Sequence, residues 1–277
     1  MERNRLFVLL LGAILALFVG RTALATDGEP PRLNDIFTAL TIVGSFALLL
    51  TGYRHLLPID WLAGLGLGGV VGVTMAFATL FSPYPFFGIV GDNFGQALVR
   101  GICSAVALWG GLVVMRQGGP VQLSMAGGGW GKFGQSLALG IGVGAPLAVL
   151  NVFALRLTQG QPIQWQSPLA ALIDALQPAV VEEVIYRFAF LGLLWLALRG
   201  SQPQRAGWLV GLLALLVHNF SHFDDLFVQS PLVALGMGLV LALLWGLPPT
   251  FLALGRDLES AIAFHWVQDA ARFVAGF

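Results

Sequence analysis

The sequence predicts an all-α integral membrane protein, a polytopic transmembrane helical bundle of about eight or nine helices. Composition is the first observation: 57% of the 277 residues are hydrophobic and only 10% are charged, whereas soluble domains carry about 25% charged residues. The second is a series of apolar stretches close to the ~20 residues that span a bilayer as a helix. Because these stretches lack the alternation of barrel strands, helices are the expected spans.

Nine apolar segments follow one another along the chain. Between them, proline, glycine and charged residues cluster in stretches typical of loops, such as 27–35 and 82–93. No loop is long enough to form a separate domain, so we expect one integral membrane domain over residues 1–277. The predicted spans are 6–25, 36–57, 61–81, 97–115, 134–157, 168–199, 206–222, 231–247 and 259–275.

The first segment has two interpretations. A basic start precedes an apolar stretch, and Ala23-Leu24-Ala25 resembles a signal-peptide cleavage site. We expect residues 1–25 to be retained as a helix, and a cleaved signal is the alternative. An N-terminus in the cytoplasm agrees with the positive-inside rule, with Arg21, Arg32 and Arg156 on the opposite side. The basic residues then expected on the cytoplasmic side are Arg3, Arg5, Arg54, Arg116, Lys132, Arg199 and Arg205.

Charge and cysteine content exclude several kinds of site. The formal net charge is zero, from 14 basic and 14 acidic residues, so no basic surplus points to nucleic acid. Cys103 is the only cysteine, which excludes a disulfide or a cysteine-based metal centre within one chain. No glycine-rich phosphate-binding motif is present. The sequence therefore predicts no nucleic-acid partner and no nucleotide cofactor.

The stretch VVEEVIYRF, residues 180–188, places three charges inside a predicted span, where charges are costly. Ser167 and Pro168 are a good helix start. Pro178 removes a backbone hydrogen bond just before the two glutamates and should kink the helix. At membrane depth such an irregularity is tolerated where it is buried in protein or lines a water-filled cavity.

The two glutamates differ in their expected partners. Glu183 and Arg187 are four residues apart and share a helix face, so we expect a buried ion pair between them. Glu182 is turned by about 100°, given ~3.6 residues per turn, and has no cationic partner in its own helix. An unpaired buried carboxylate binds a proton more readily than one in water, which suits a general base. Glu182 is therefore interpreted as reactive and Glu183 as structural; the alternative is a purely structural polar cluster.

Two later spans carry histidines at helical spacing. His218 and His222 share one helix face, and His265 shares a face with Asp269 in the last span. Ionisable side chains inside spans usually face one another or a watery cavity. We therefore expect Glu182, His218 and His265 to converge from three helices.

A carboxylate with two histidines supports two chemistries. Glu182, His218 and His265 match catalytic zinc in ligand type, although His218-Asn219 is not the start of an HExxH motif. Without a metal, Glu182 and His218 would deprotonate a water while His265 and Asp269 stabilise the oxyanion. Asp269 would donate a hydrogen bond only if protonated; as a carboxylate it would orient His265. We favour the chemistry that requires no cofactor, with zinc as the alternative.

EEVIYR, residues 182–187, matches the EExxxR motif of the CAAX protease and bacteriocin-processing family, also called the Abi family. Its members are intramembrane proteases related to type II CAAX prenyl endopeptidases. His218 would be the histidine of that family's second motif, FxxxH, and His265 with Asp269 its third motif, HxxxD or HxxxN. The resemblance covers about 168–275, which we take as the catalytic core.

The resemblance implies a role for each matching residue. The implied roles are activation of water for Glu182 and His218, stabilisation of the site for Glu183 and Arg187, and oxyanion binding or substrate polarisation for His265 and Asp269. The sequence differs from the family motifs at three positions. Ala214 replaces the second-motif phenylalanine, His222 is an additional histidine, and Asp269 replaces the asparagine of the eukaryotic-type enzymes.

These observations predict an intramembrane endopeptidase that acts on a peptide or protein within the bilayer, in the plasma (inner) membrane of a bacterium. The substrate, whether it is prenylated, and the oligomeric state are left open. Two alternatives belong to other classes: a non-catalytic membrane partner, such as an immunity or chaperone-like protein, and a proton-coupled transporter. The halves of the chain show no internal repeat of the transporter kind, and every catalytic-type position is filled, so the enzyme is favoured.

Overall fold

The computed structural model describes residues 5–21, 32–200 and 205–277, and these ranges are predominantly helical, with no strand beyond one isolated bridge. The predicted all-α bundle is therefore confirmed. The cleavage site considered at Ala23-Leu24-Ala25 lies outside the described residues. The helices are α1 (Arg5–Val19), α2 (Leu33–Gly52), α3 (Pro58–Ala76), α4 (Asn93–Arg116), α5 (Ser124–Gln159), α6 (168–198), α7 (Ala206–Ser221), α8 (Asp224–Gln229), α9 (Pro231–Gly255) and α10 (Leu258–Val274).

Five of these helices are long and apolar enough to cross a bilayer, namely α2, α3, α4, α5 from Gly129 onward, and α9. The outward side chains of the bundle are apolar as well, and Leu157 and Leu232 are both 82% exposed. A continuous apolar perimeter of this kind requires lipid rather than water around it. The chain is therefore an integral membrane protein.

The span predicted over 231–247 is longer than expected. The chain stays helical through two prolines to Gly255, because a π-helical turn, Ala242–Gly246, precedes a new helical segment that begins at Leu247. Pro248 and Pro249 then fall in the first turn of that segment, where a missing N–H removes no intrahelical hydrogen bond.

Glycines let pairs of helices approach closely. A methyl group on Gly68 of α3 would lie 2.7 Å from the carbonyl oxygen of Gly101 in α4. On the other side of the molecule, a methyl group on Gly140 of α5 would lie 2.2 Å from the carbonyl oxygen of Ser260 in α10. Because separations this short are far inside van der Waals contact, only glycine permits these two helix pairs, and the second pair fixes α10 beside the polar centre of the bundle.

Polar contacts hold the helices together at both ends of the bundle. At one end Arg116 pairs with Asp60 at 2.8 Å and joins α4 to α3. At the other end Arg21 pairs with Asp224 at 2.8 Å, and both side chains are nearly fully buried. Asp174 of α6 accepts hydrogen bonds from the backbone N–H groups of 79–81, so the connection between α3 and α4 is bound to α6.

Candidate active site

Helix α6 is interrupted close to the expected position. Ser167 caps its start by accepting a hydrogen bond from the backbone N–H of Ala170. The first segment ends at Asp174, and a second segment, Leu176–Glu182, begins one residue later. The break lies before Pro178 rather than at it, because the proline ring would collide with the carbonyl group of residue 174, four positions earlier.

A π-helical segment, Glu183–Phe190, follows Glu182 directly. Its wider turns bring Glu183 and the residues up to Ala189 into the core, where all of them are buried. Rare π-helical turns are frequent at functional sites. The change of helix type therefore coincides with the EExxxR motif, and Glu182 lies at the junction.

Glu182 contacts the first of the predicted histidines. The Glu182 Oε2 and His218 Nε2 atoms are 2.7 Å apart, which is a hydrogen bond between α6 and α7. The His218 ring is stacked on the Tyr186 ring with 4.9 Å between centroids, so its orientation is fixed by packing. The Glu182 side chain keeps 26% of its surface exposed, whereas that of His218 keeps 7%.

The third helix of the site brings His265 to both glutamates. His265 Nδ1 is 2.8 Å from Glu183 Oε1, and His265 Nε2 is 3.7 Å from Glu182 Oε2. The convergence of Glu182, His218 and His265 that the sequence predicts is therefore present. The contact between His265 and Glu183 was not foreseen, since it joins helices 82 positions apart in the chain.

Arg187 forms the predicted ion pair with Glu183, and both side chains are almost fully buried. Its remaining donors are also used. Arg187 Nε donates to Thr250 Oγ1 at 3.2 Å, and its Nη2 donates to the carbonyl oxygen of Gly246 at 3.2 Å. Gly246 ends the π-helical turn of α9, and its carbonyl oxygen also accepts a hydrogen bond from the Thr250 hydroxyl at 2.8 Å.

Asp269 faces His265 across an ion-pair contact. Its Oδ1 atom is 3.0 Å from the guanidinium of Arg272, and its Oδ2 atom is 3.4 Å from His265 Nε2. Arg272 lies three residues further along the same helix, so Asp269 is placed between a guanidinium and the His265 ring. This arrangement fits the orienting role considered for Asp269. The three-residue spacing between Asp269 and Arg272 could have predicted this ion pair from the sequence.

His222, which the family motifs do not require, also lies at the site. Its Nε2 atom is 3.9 Å from Glu182 Oε2, and its ring is 5.2 Å from that of His218 between centroids. Among the described residues, Glu182, His218 and His222 are the group whose ligand atoms all lie within 4.8 Å of one another. This set differs from the one expected for zinc, because His222 takes the place of His265.

That group is of a type that fits a metal ion, since one carboxylate and two imidazoles are a common set for catalytic zinc. Glu182, His218 and His222 would hold such an ion. The ion would supply a water that is nucleophilic at neutral pH.

Two cavities adjoin the cluster. One of about 250 Å³ is lined by His218, His265 and Asp269 together with apolar side chains of α5 and α9. Another of about 220 Å³ is lined by Glu182 and by residues of α2, α4 and the connection after α3. His222 lines both. The Glu182–His218 pair therefore separates two cavities, with Glu182 on the wall of one and His218 on the wall of the other.

Comparison with protein families identifies the segment that carries this cluster. Residues 164–271 match the family model described as type II CAAX prenyl endopeptidase Rce1-like. No curated protein and no solved structure matches the chain. All six residues singled out from the three motifs lie within the matched segment. The segment 164–271, which carries all three motifs, is therefore similar to the Rce1-like type II CAAX prenyl endopeptidases.

Proposed function

We propose that the chain is an endopeptidase that hydrolyses a peptide bond within the membrane, using a water activated by Glu182 and His218. The observation that carries this proposal is the 2.7 Å contact between Glu182 Oε2 and His218 Nε2, in which Glu182 lines one cavity and His218 lines the other. A water bound beside this pair would lie within hydrogen-bond reach of both, which is the geometry that general base catalysis requires.

Glu182 acts as the general base in this proposal. It takes a proton from water while the water oxygen adds to the peptide carbonyl carbon, and the carbonyl electrons move onto the oxygen. When the tetrahedral intermediate collapses, the C–N bond breaks with its electron pair on nitrogen, and the proton held by Glu182 passes to the departing amine. His218 orients the water and stabilises the charge that develops on it.

His265 is the group proposed to stabilise the oxyanion. Three carboxylates surround its ring at 2.8, 3.4 and 3.7 Å, those of Glu183, Asp269 and Glu182. Such surroundings favour the charged imidazolium, which attracts a developing negative charge. Glu183, fixed by Arg187, holds the ring in place, and Asp269 orients it.

The proposed reaction needs no metal ion. Glu182 and His218 already have complementary roles as base and hydrogen-bond partner, and His265 supplies the positive charge that a metal would otherwise provide. The metal-dependent alternative uses Glu182, His218 and His222 as ligands. The two mechanisms make opposite predictions for chelation, which the experiment below includes.

The proposed substrate is a peptide or protein segment that enters from the bilayer. Leu155, Leu241 and Trp245 line the 250 Å³ cavity and give it an apolar wall. Because the matching family is named for prenyl endopeptidases, a prenylated peptide is the first substrate to test. The bacterial plasma membrane is the proposed location, and we propose no nucleic-acid partner.

The test is hydrolysis of a quenched fluorescent, farnesylated peptide by the purified chain in detergent. Glu182→Gln should lower kcat by at least the ~10²–10⁴-fold contributed by a general base, with folded yield and thermal unfolding unchanged, since the amide occupies the same volume. His55→Asn, at an exposed histidine of the α2–α3 turn, is the control. Treatment with EDTA should leave the wild-type rate intact.

Cleavage by Glu182→Gln at a rate near that of the wild type would contradict the assignment of the base. Loss of activity with EDTA, restored by Zn²⁺ and weakened by His222→Asn, would establish the metal-dependent mechanism instead.

A further inference from the structure

His218 is held in a different way from His265. The His265 ring has a carboxylate beside each nitrogen: Nδ1 is 2.8 Å from Glu183, and Nε2 is 3.4 Å from Asp269. His218 uses only Nε2, which is 2.7 Å from Glu182 Oε2, and its buried Nδ1 atom has no hydrogen-bond partner among the described residues. Because catalytic histidines are usually oriented by a hydrogen bond at the second ring nitrogen, the orientation of His218 has to come from other contacts.

Tyr186 provides the main contact with the face of the His218 ring. The two rings are stacked, with 4.9 Å between centroids and 27° between planes. His222 and His265 lie 5.2 and 6.2 Å from the same ring, with planes inclined by 62° and 53°. Tyr186 is only 2% exposed and belongs to the buried π-helical segment. Since a stacked ring restricts the tilt of its neighbour, Tyr186 sets the plane in which His218 Nε2 points to Glu182.

The far end of Tyr186 is fixed by α2. The Tyr186 hydroxyl donates to the side-chain oxygen of Asn34 and lies 3.4 Å from Thr38 Oγ1. Asn34 and Thr38 are four residues apart and therefore on the same face of α2. Because the tyrosine is held by α6 at its backbone and by α2 at its hydroxyl, its ring cannot tilt without breaking this hydrogen bond.

We propose that Tyr186 is a positioning residue for the reaction, and that its hydrogen bond with Asn34 holds the His218 imidazole against Glu182. This inference rests on the proposed function. Tyr186 acts through His218 rather than on the substrate, because its ring covers the imidazole and its hydroxyl is bound to α2. A shift of the tyrosine would lengthen the Glu182–His218 contact and disturb the water that both groups bind.

The proposal extends the catalytic apparatus beyond the three motifs. Asn34 lies outside residues 164–271, so its role does not follow from the similarity of that segment to a family. A purely structural role is the competing explanation, since the bond between Asn34 and Tyr186 also joins α2 to α6. The two explanations differ in the expected kcat, in the expected KM and in the surroundings of the His218 ring.

The first experiment measures hydrolysis of the farnesylated fluorescent peptide by three variants. Tyr186→Phe keeps the stacked ring and loses the hydroxyl, so kcat should fall about tenfold with KM unchanged. Tyr186→Leu also loses the ring and should lower kcat by about 10²-fold, the cost of displacing a catalytic group by about 1 Å. Asn34→Ala should match Tyr186→Phe. Tyr53→Phe, at a tyrosine that is 48% exposed, is the control for loss of a hydroxyl and should keep the wild-type kcat.

The double variant Asn34→Ala/Tyr186→Phe tests whether the two side chains act through one hydrogen bond. Its kcat should be no lower than that of either single variant, because each substitution removes the same bond. Losses in kcat that multiply in the double variant would overturn the proposed link between Asn34 and Tyr186.

Nuclear magnetic resonance of the histidine rings gives a second measurement that does not depend on turnover. The chain has four histidines, so labelling them with ¹³C at Cε1 gives four signals, and His218→Asn identifies one of them. Asn34→Ala and Tyr186→Phe should shift and broaden the His218 signal, because the imidazole is no longer held against the aromatic face. Tyr53→Phe should leave it in place.

An unchanged His218 signal and wild-type kcat in Asn34→Ala and Tyr186→Phe would overturn the positioning role while leaving the proposed protease intact. Lower thermal stability of these variants at wild-type kcat would identify the bond as purely structural. Cleavage of no peptide by the folded wild-type chain would count against the protease itself. The His218 signal would then still decide whether Tyr186 and Asn34 hold the imidazole.

Discussion

Glu183 is the residue on which the geometry of the site depends most. Its Oε1 atom contacts both the Arg187 guanidinium and the His265 ring, so one carboxylate oxygen joins α6 to α10. Arg187 in turn is held by Thr250 and Gly246 of α9. A polar cluster that is buried and connected in this way is stable only while every member is present.

Glu183→Ala should therefore lower the folded yield as well as the activity. Loss of one partner from a buried ion pair costs about 3–5 kcal/mol, because the other charge is left buried and unpaired. Thermal unfolding in detergent measures this effect. Adding Arg187→Met to Glu183→Ala should restore much of the stability and none of the activity. A Glu183→Ala chain as stable as the wild type would contradict the structural role.

Residue spacing predicted the contacts within a helix and not those between helices. The Glu183–Arg187 and His265–Asp269 pairs follow from four-residue spacing on a single helix. The contacts of Glu183 with His265 and of Arg187 with Thr250 depend on how helices pack, which spacing along one helix does not contain. His222 is an intermediate case, because its four-residue spacing from His218 was noted and its distance from Glu182 was unknown.

At the scale of helices, α10 is positioned by glycines on α5. A methyl group on Gly140 would lie within 3.0 Å of three atoms of α10, two of which belong to its backbone. Since backbone cannot move aside as a side chain does, α10 has to shift, and His265 moves with it.

Gly140→Ala should accordingly reduce kcat about tenfold or more, since small displacements of catalytic groups are costly, and should destabilise the fold by about 1–3 kcal/mol, as overpacking does. Gly142→Ala is the matched control, because a methyl group there would meet nothing within 4 Å on the same helix. Activity assays and thermal unfolding of both variants check the prediction. Equal behaviour of the two would show that this contact does not position His265.

The helices themselves were largely predictable from apolar length, and their irregularities were not. All nine predicted segments have a helix in the described part of the chain. No residue pattern in the sequence marks the π-helical turns at Glu183–Phe190 and Ala242–Gly246. One of them is contacted from another helix, since Arg187 donates to the carbonyl oxygen of Gly246, and contacts of this kind come from tertiary structure.

At the scale of the whole molecule, the bundle has two distinct ends. The Arg116–Asp60 pair lies at one end, and the contacts of Asp174 with residues 79–81 lie at the other. The sequence predicts which end faces the cytoplasm through the distribution of basic residues. The fold is the same whether the N-terminus lies in the cytoplasm or outside, so this orientation is a prediction from the sequence.

Labelling of single cysteines tests the orientation. In a Cys103→Ala background, Thr158→Cys at the end of α5 should react with a membrane-impermeant maleimide in intact cells, and Arg54→Cys should react only after lysis. Both positions are exposed, so access to the reagent is not limited by the fold. The reverse pattern would show that the N-terminus lies outside and that the predicted topology is inverted.

The connection between α3 and α4 lies on the predicted outer side of the membrane and contacts the proposed substrate site. Its backbone N–H groups bind Asp174, on the helix of Glu182, and Asp35, on the wall of the 220 Å³ cavity, and its residues 81–84 complete that wall. In the predicted topology this connection faces away from the cytoplasm. An antibody fragment that recognises this connection would therefore reach a wall of the proposed substrate site without entering the lipid. Inhibition of the proposed protease from outside the membrane is the consequence.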